Sequence, residues 1–137
     1  MSTERVVYKV YIMFHKNLFP SLDEYSEDLR GMYSEGGAKA PEVSVLKNGC
    51  TLEVTFEGLT FFVKANQSEQ VRSDSVQLAE KAWPEEQEEL RKSVYRYEIT
   101  STIDKEFKHS VELLLLIQAA ASFGKIWAYD FTVDSFT

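Results

Sequence analysis

Between Asp104 and Phe131 the chain runs through Leu113-Leu114-Leu115-Leu116-Ile117 and Ala119-Ala120-Ala121 to Gly124, then directly into Ile126-Trp127-Ala128-Tyr129. No proline or glycine interrupts the segment before Gly124. A helical apolar run stopped by glycine and followed at once by an aromatic strand predicts a buried helix feeding a central strand of a small packed sheet. The apolar run is much shorter than the roughly 20 residues a bilayer span requires. Lys105, Lys108, His109 and Glu112 also flank it, so a transmembrane helix is not expected.

The rest of the chain alternates strand and helix signals. Val6 to Phe14 places Val6, Tyr8, Val10, Ile12 and Phe14 on one face and Val7, Tyr11 and Met13 on the other, broken by Lys9, which predicts an interior strand buried on both faces. Ser21-Leu22-Asp23-Glu24 reads as a capping box behind Pro20. The helix it starts has an apolar stripe of Leu22, Tyr25, Leu29, Met32 and Tyr33, and Gly36-Gly37 ends it. Val43 to Leu46, Cys50 to Phe56 and Leu59 to Ala65 read as a three-stranded meander turning at Asn48-Gly49 and Glu57-Gly58. Helical spacing resumes near Ser68 through Val71, Leu78, Ala82 and Trp83, and Pro84 divides it into two short helices or one kinked helix. Val94 to Ile103 alternates Tyr95, Tyr97 and Ile99 with Arg96, Glu98 and Thr100, a strand with one wet face. A final strand is expected from Lys125 to about Val133.

The expectation is therefore one α+β domain over residues 1–137, ordered β-α-β-β-β-α-β-α-β. It is a sandwich: a mainly antiparallel sheet of about five to six strands, helices packed on one face, and strand-helix-strand units crossing over right-handed. A chain of 137 residues, 44% apolar, has material for one real core and no linker or repeat to divide it.

Chemistry is harder to find. There is no Gly-x-Ser-x-Gly elbow and no phosphate-cradling glycine loop, so no catalytic residues and no cofactor are expected. His15 and His109 lack neighbouring ligands at metal-binding spacing, so no metal is expected. His15 reads as a loop residue and His109 as one member of a surface ion pair. Cys50, the only cysteine, excludes an intrachain disulfide and reads as structural. Asp130 and Asp134 would share a face if the last strand continued, and read as strand-end solvation. The first residues, Met1-Ser2-Thr3-Glu4-Arg5, lack a signal-peptide pattern, and with the lone cysteine this points to the cytoplasm.

Twenty-two acidic against fifteen basic residues give a net charge of −7, which repels nucleic acid and anionic membranes and favours basic partners. Glu85, Glu86, Glu88 and Glu89 complement the start of a helix dipole, and with Asp23, Glu24, Glu27 and Asp28 they also offer a docking surface. Trp83 and tyrosines that a minimal core does not need would add apolar anchors. By analogy of class alone, these features fit a non-catalytic cytoplasmic protein-binding domain. Bacterial immunity proteins and toxin inhibitors are of this kind, and neutralise a basic toxin or enzyme by occlusion. The alternative is a small-molecule-binding or enzymatic α+β domain whose pocket is lined by Tyr95, Tyr97, Trp127 and Tyr129. A third reading is a homodimer paired through an edge strand of the meander.

Overall fold

The interior strand at the start of the chain organises the fold. In the computed structural model, which describes residues 7–35, 42–45, 51–56, 59–102 and 110–137, β1 (Lys9–Phe14) pairs antiparallel with β5 (Arg96–Ser101) on one side and β6 (Ile126–Asp130) on the other. The sheet continues through β4 (Leu59–Asn66), β3 (Thr51–Phe56) and β2 (Glu42–Val45), and past β6 to the two-residue β7 (Ser135–Phe136). Among the described residues the strand order is β2-β3-β4-β5-β1-β6-β7, every pair antiparallel. This is the expected α+β architecture in the expected order, with β7 added. Because β5 and β6 flank β1 and both oppose it, they run parallel to each other, and the connection between them crosses over β1.

Four helices connect the strands: α1 (Leu22–Glu35), α2 (Glu69–Ala79), α3 (Pro84–Arg91) and α4 (Ser110–Ala121). α1 begins where the capping box predicts, with the Glu24 amide donating to Ser21 Oγ at 3.1 Å and the Ser21 amide to Glu24 Oε1 at 3.2 Å. Pro84 occupies the first turn of α3, where its missing N–H costs nothing, so two helices form rather than one kinked helix. The expected stop at Gly36-Gly37, the turns at Asn48-Gly49 and Glu57-Gly58, Val6, Cys50 and His109, and the side chains of Met32 and Tyr33, lie outside the described residues.

The expectation of helices on one face needs amendment. α1 and α4 cover one face, burying Leu22, Tyr25, Leu29, Leu113, Leu116, Ala119 and Ala120 against Val10, Ile12, Phe14, Val54, Phe61, Tyr97 and Ile99. α2 and α3 cover the other, where Ala79 and Leu90 meet Met13, Trp127 and Tyr129. Alternation along β1 is the physical reason: Ile12 and Met13 are both fully buried on opposite sides of the pleat, so each face needs its own cover. The supposedly wet face of β5 is exposed at Thr100 and partly so at Glu98, whereas α2 lies over its other end and buries Arg96 to 2% exposure.

β6 is also shorter than expected, ending at Asp130 rather than near Val133. The chain turns through 131–134 and returns as β7, so Asp130 and Asp134 do not share a strand face. Asp134 sits in the left-handed region at φ 52°, which aspartate tolerates better than most residues. Its carboxylate accepts from the Tyr129 hydroxyl and from Lys81 Nζ at 3.1 Å. The Tyr129 hydrogen bond and then Lys81 hold the Asp134 carboxyl below its ordinary 3.8. A depressed folded value contributes stability that is present above the ordinary carboxylate range and lost as pH falls through the lower folded value. In Asp134→Asn, which also tolerates this backbone, thermal unfolding followed below about pH 4 is expected to lose part of the parent's acid-side decline. An acid profile identical to the parent's would contradict it. Among the described residues no helix is long and apolar enough to cross a membrane.

Candidate protein-contact surface

Trp83 is 76% exposed, the most exposed large apolar side chain among the described residues. Residue types preceding proline favour extended backbone, and Trp83 takes φ −58°, ψ 141° as the N-cap of α3. Tryptophan cannot accept the orphan amides that serine or aspartate would take at that position, and no side-chain cap bond forms. The indole therefore serves neither the helix start nor the core.

Beside it a groove of about 310 Å³ runs along the outer edge of β6, walled by Trp83 and Glu86 below, Ile117 of α4 above, and Ile126, Trp127 and Phe136. The register explains why this edge is open. His15 N–H donates to Lys125 C=O and Phe131 N–H to Lys9 C=O, so the odd-numbered residues between bond β1 and Ile126, Ala128 and Asp130 point their backbone groups outward. β7 pairs only with Tyr129 and Asp130, and Thr137 N–H reaches Ala128 C=O, which leaves the edge at Ile126 without a strand partner among the described residues. The Trp127 indole N–H is buried in the wall under α3 with no hydrogen-bond partner among the described residues.

The eight candidate carboxylates are not gathered into one patch, because α1 and α3 cover opposite faces. Several are already employed. Glu24 closes the capping box, Glu27 lies 3.4 Å from Arg30, and Asp28 accepts from Ser122 Oγ at 2.9 Å. Glu86 and Glu89 lie 2.6 and 3.7 Å from Lys125 Nζ, and the Glu86 hydrogen bond first of all raises the Lys125 pKa above its ordinary 10.5. Glu89 also lies 3.7 Å from His15 Nε2, which gives the loop histidine its place. Glu88 pairs with Lys92 at 3.8 Å, both ends exposed. Asp23 and Glu85 carry no ion pair among the described residues, and Glu85 stands next but one to Trp83. Of the eight, Asp23 and Glu85 are exposed and without an ion pair among the described residues, and on α3 Glu88 and Glu89 remain exposed despite theirs.

The tyrosines behave differently from expectation. Tyr8, Tyr25, Tyr97 and Tyr129 are buried, and Tyr11 and Tyr95 are half-buried. Internal acceptors explain this: Tyr25 donates to Leu116 C=O, Tyr95 and Tyr97 both to Pro20 C=O, and Tyr129 to Asp134. A phenol with an internal partner is core material. Tyr95 and Tyr97 belong to the α1/α4 side of the sheet and Trp127 and Tyr129 to the α2/α3 side, so these four residues do not line a common pocket.

Comparison with family models, with curated proteins and with solved structures returned no match for this chain.

Proposed function

We propose that the chain is a non-catalytic cytoplasmic protein-binding domain of the immunity or inhibitor kind, which neutralises a basic toxin or enzyme by binding and covering it. The observation that carries this reading is Trp83: an exposed indole at a helix start that gains nothing from it, beside an apolar groove and exposed carboxylates. Tryptophan is the residue type most often found as the energetic anchor of a contact, and a rim of like charge steers an oppositely charged partner toward it. The cytoplasm is proposed because a lone cysteine suits a reducing compartment.

The test begins with capture of partners on the immobilised chain at low and high salt, followed by purification of the captured protein and assay of its own activity. Stoichiometric loss of that activity on titration with the chain is expected. Trp83→Ala is expected to weaken inhibition by about 2 kcal/mol, roughly thirty-fold. Glu85→Gln with Glu88→Gln is expected to slow association and flatten its salt dependence, with less effect on dissociation. A captured protein whose activity is untouched, or one inhibited equally by the Trp83 variant, would overturn the reading.

A further inference from the structure

Residues 132–137 lie on the outer edge of the sheet with little to hold them. Thr132, Val133, Asp134, Ser135 and Thr137 are exposed, and Phe136 is half-buried, its ring 5.0 Å from that of Tyr129. β7 pairs with β6 at Tyr129 and Asp130, and Thr137 N–H donates to Ala128 C=O at 2.9 Å. Ahead of β7, Asp134 takes the left-handed conformation, and its carboxylate accepts from Tyr129 and Lys81. Phe131 is held differently: its N–H donates to Lys9 C=O, which anchors it to β1 and makes it the hinge end of the segment. Lys81 Nζ also lies 3.0 Å from the Tyr129 hydroxyl, so this buried phenol keeps a hydrogen-bond partner when the segment leaves.

We propose that residues 132–137 form a strap that opens as one unit while the rest of the sheet stays folded, with the Lys81–Asp134 ion pair as its latch, and that the strap thereby governs access to the β6 edge. Local opening is cheapest where few apolar contacts and mostly exposed hydrogen bonds hold a segment, and this one carries a single half-buried ring. Closed, the strap blunts the edge, leaving the backbone groups of Ile126 without a strand partner among the described residues. Open, Ile126, Ala128 and Asp130 present theirs in succession along the five residues of β6, an edge roughly 17 Å long. The groove beside Trp83 loses its Phe136 and Thr137 wall in the same step. An extended segment of another chain pairs with a bare edge of this kind, through main-chain hydrogen bonds. Opening is a property of this chain alone and does not depend on Trp83 meeting a partner.

Native-state amide exchange on the full chain, resolved by residue with NMR, tests it. The register predicts an alternation along β6. The amides of Trp127 and Tyr129, which bond β1, are expected to exchange only with global unfolding. Those of Asp130, Ser135 and Thr137 are expected to exchange together, at least about a hundred-fold faster. Lys81→Met and Asp134→Asn are each expected to quicken this strap set about five-fold, the scale of one exposed ion pair, and the two together by little more, since both break one latch. Tyr97→Phe, on the opposite face, is expected to quicken Trp127 and Tyr129 and to leave the strap set at the parent rate, because strap opening keeps the core intact. A strap set that exchanges at the rate of Trp127 and Tyr129, members that exchange independently, a set that Tyr97→Phe quickens as well, or one indifferent to Lys81→Met would each overturn the proposal.

Discussion

Replacing Arg96 with alanine is expected to lower the unfolding free energy by about 3 kcal/mol, the low end for removing one partner of a buried ion pair. Arg96 is 2% exposed beneath α2. Its Nη1 lies 2.8 Å from Asp74 Oδ2, its Nη2 2.7 Å from Glu98 Oε2, and its guanidinium 3.9 Å above the Tyr11 ring. Asn66 adds a donor to Glu98 and Gln70 one to Asp74. Alanine leaves two carboxylates, about one-fifth exposed, facing each other without a cation, and removes the stacking on Tyr11. The carboxylates keep some solvent, hence the low end of the range. Arg96→Lys retains the charge but not the fork, so an intermediate loss is expected. The triple change Arg96→Met, Asp74→Asn, Glu98→Gln is expected to recover most of it, because the cost lies in stranded charge. Urea unfolding measures all three; an Arg96→Ala loss below about 1 kcal/mol would show that the network is solvated.

That network also marks where sequence reading stops. Period-two alternation placed Tyr97 and Ile99 on the dry side of β5 and Arg96, Glu98 and Thr100 on the other, and the pleat agrees. Alternation cannot say whether the other side meets water or a helix. That depends on which strand lies beside which, and Arg96 became buried because α2 descends on the β1–β5 side of the sheet. The two-sided pattern of β1 held the missing information: a strand with Ile12 and Met13 both dry is incompatible with helices on a single face. Local signals fared better. Ser21 with Glu24, and Pro84 at a helix start, act within one turn of chain and appear where they were read. The environments of the candidate contact residues were half legible. Exposure of Trp83 follows from its place just before Pro84 at a helix start, whereas the pairing of Glu86 and Glu89 with Lys125 joins residues far apart in sequence through the β6 edge. That Val111 and Leu114 of α4 stay exposed while Leu113 and Leu116 are buried was not legible, because a continuous apolar run carries no periodic mark of which residues face in.

Tyr97→Ala is expected to cost about 4 kcal/mol, in the range for removing a fully buried aromatic ring. The ring is completely buried and makes edge contacts with Phe14 at 4.7 Å and Tyr25 at 4.9 Å. Burial pushes the phenols of Tyr97 and Tyr95 upward, so both stay protonated donors, and both hydroxyls reach Pro20 C=O at 2.7 Å. The shared acceptor makes a sharper prediction than the ring does. Tyr97→Phe alone is expected to cost only about 1 kcal/mol, because Tyr95 still satisfies the carbonyl, and Tyr95→Phe alone is expected to cost no more. The double change strands a carbonyl in a poorly solvated site, so its cost is expected to exceed the sum of the singles by about 1 kcal/mol. Pro20 directly precedes the Ser21 cap, so the same loss frees the entry of α1, and amide exchange along that helix is expected to quicken with the double variant first. A strictly additive cycle would mean that the two hydroxyls do not share the carbonyl. Unchanged exchange in α1 would mean that the α1 entry is held by packing of Leu22 and Tyr25 alone.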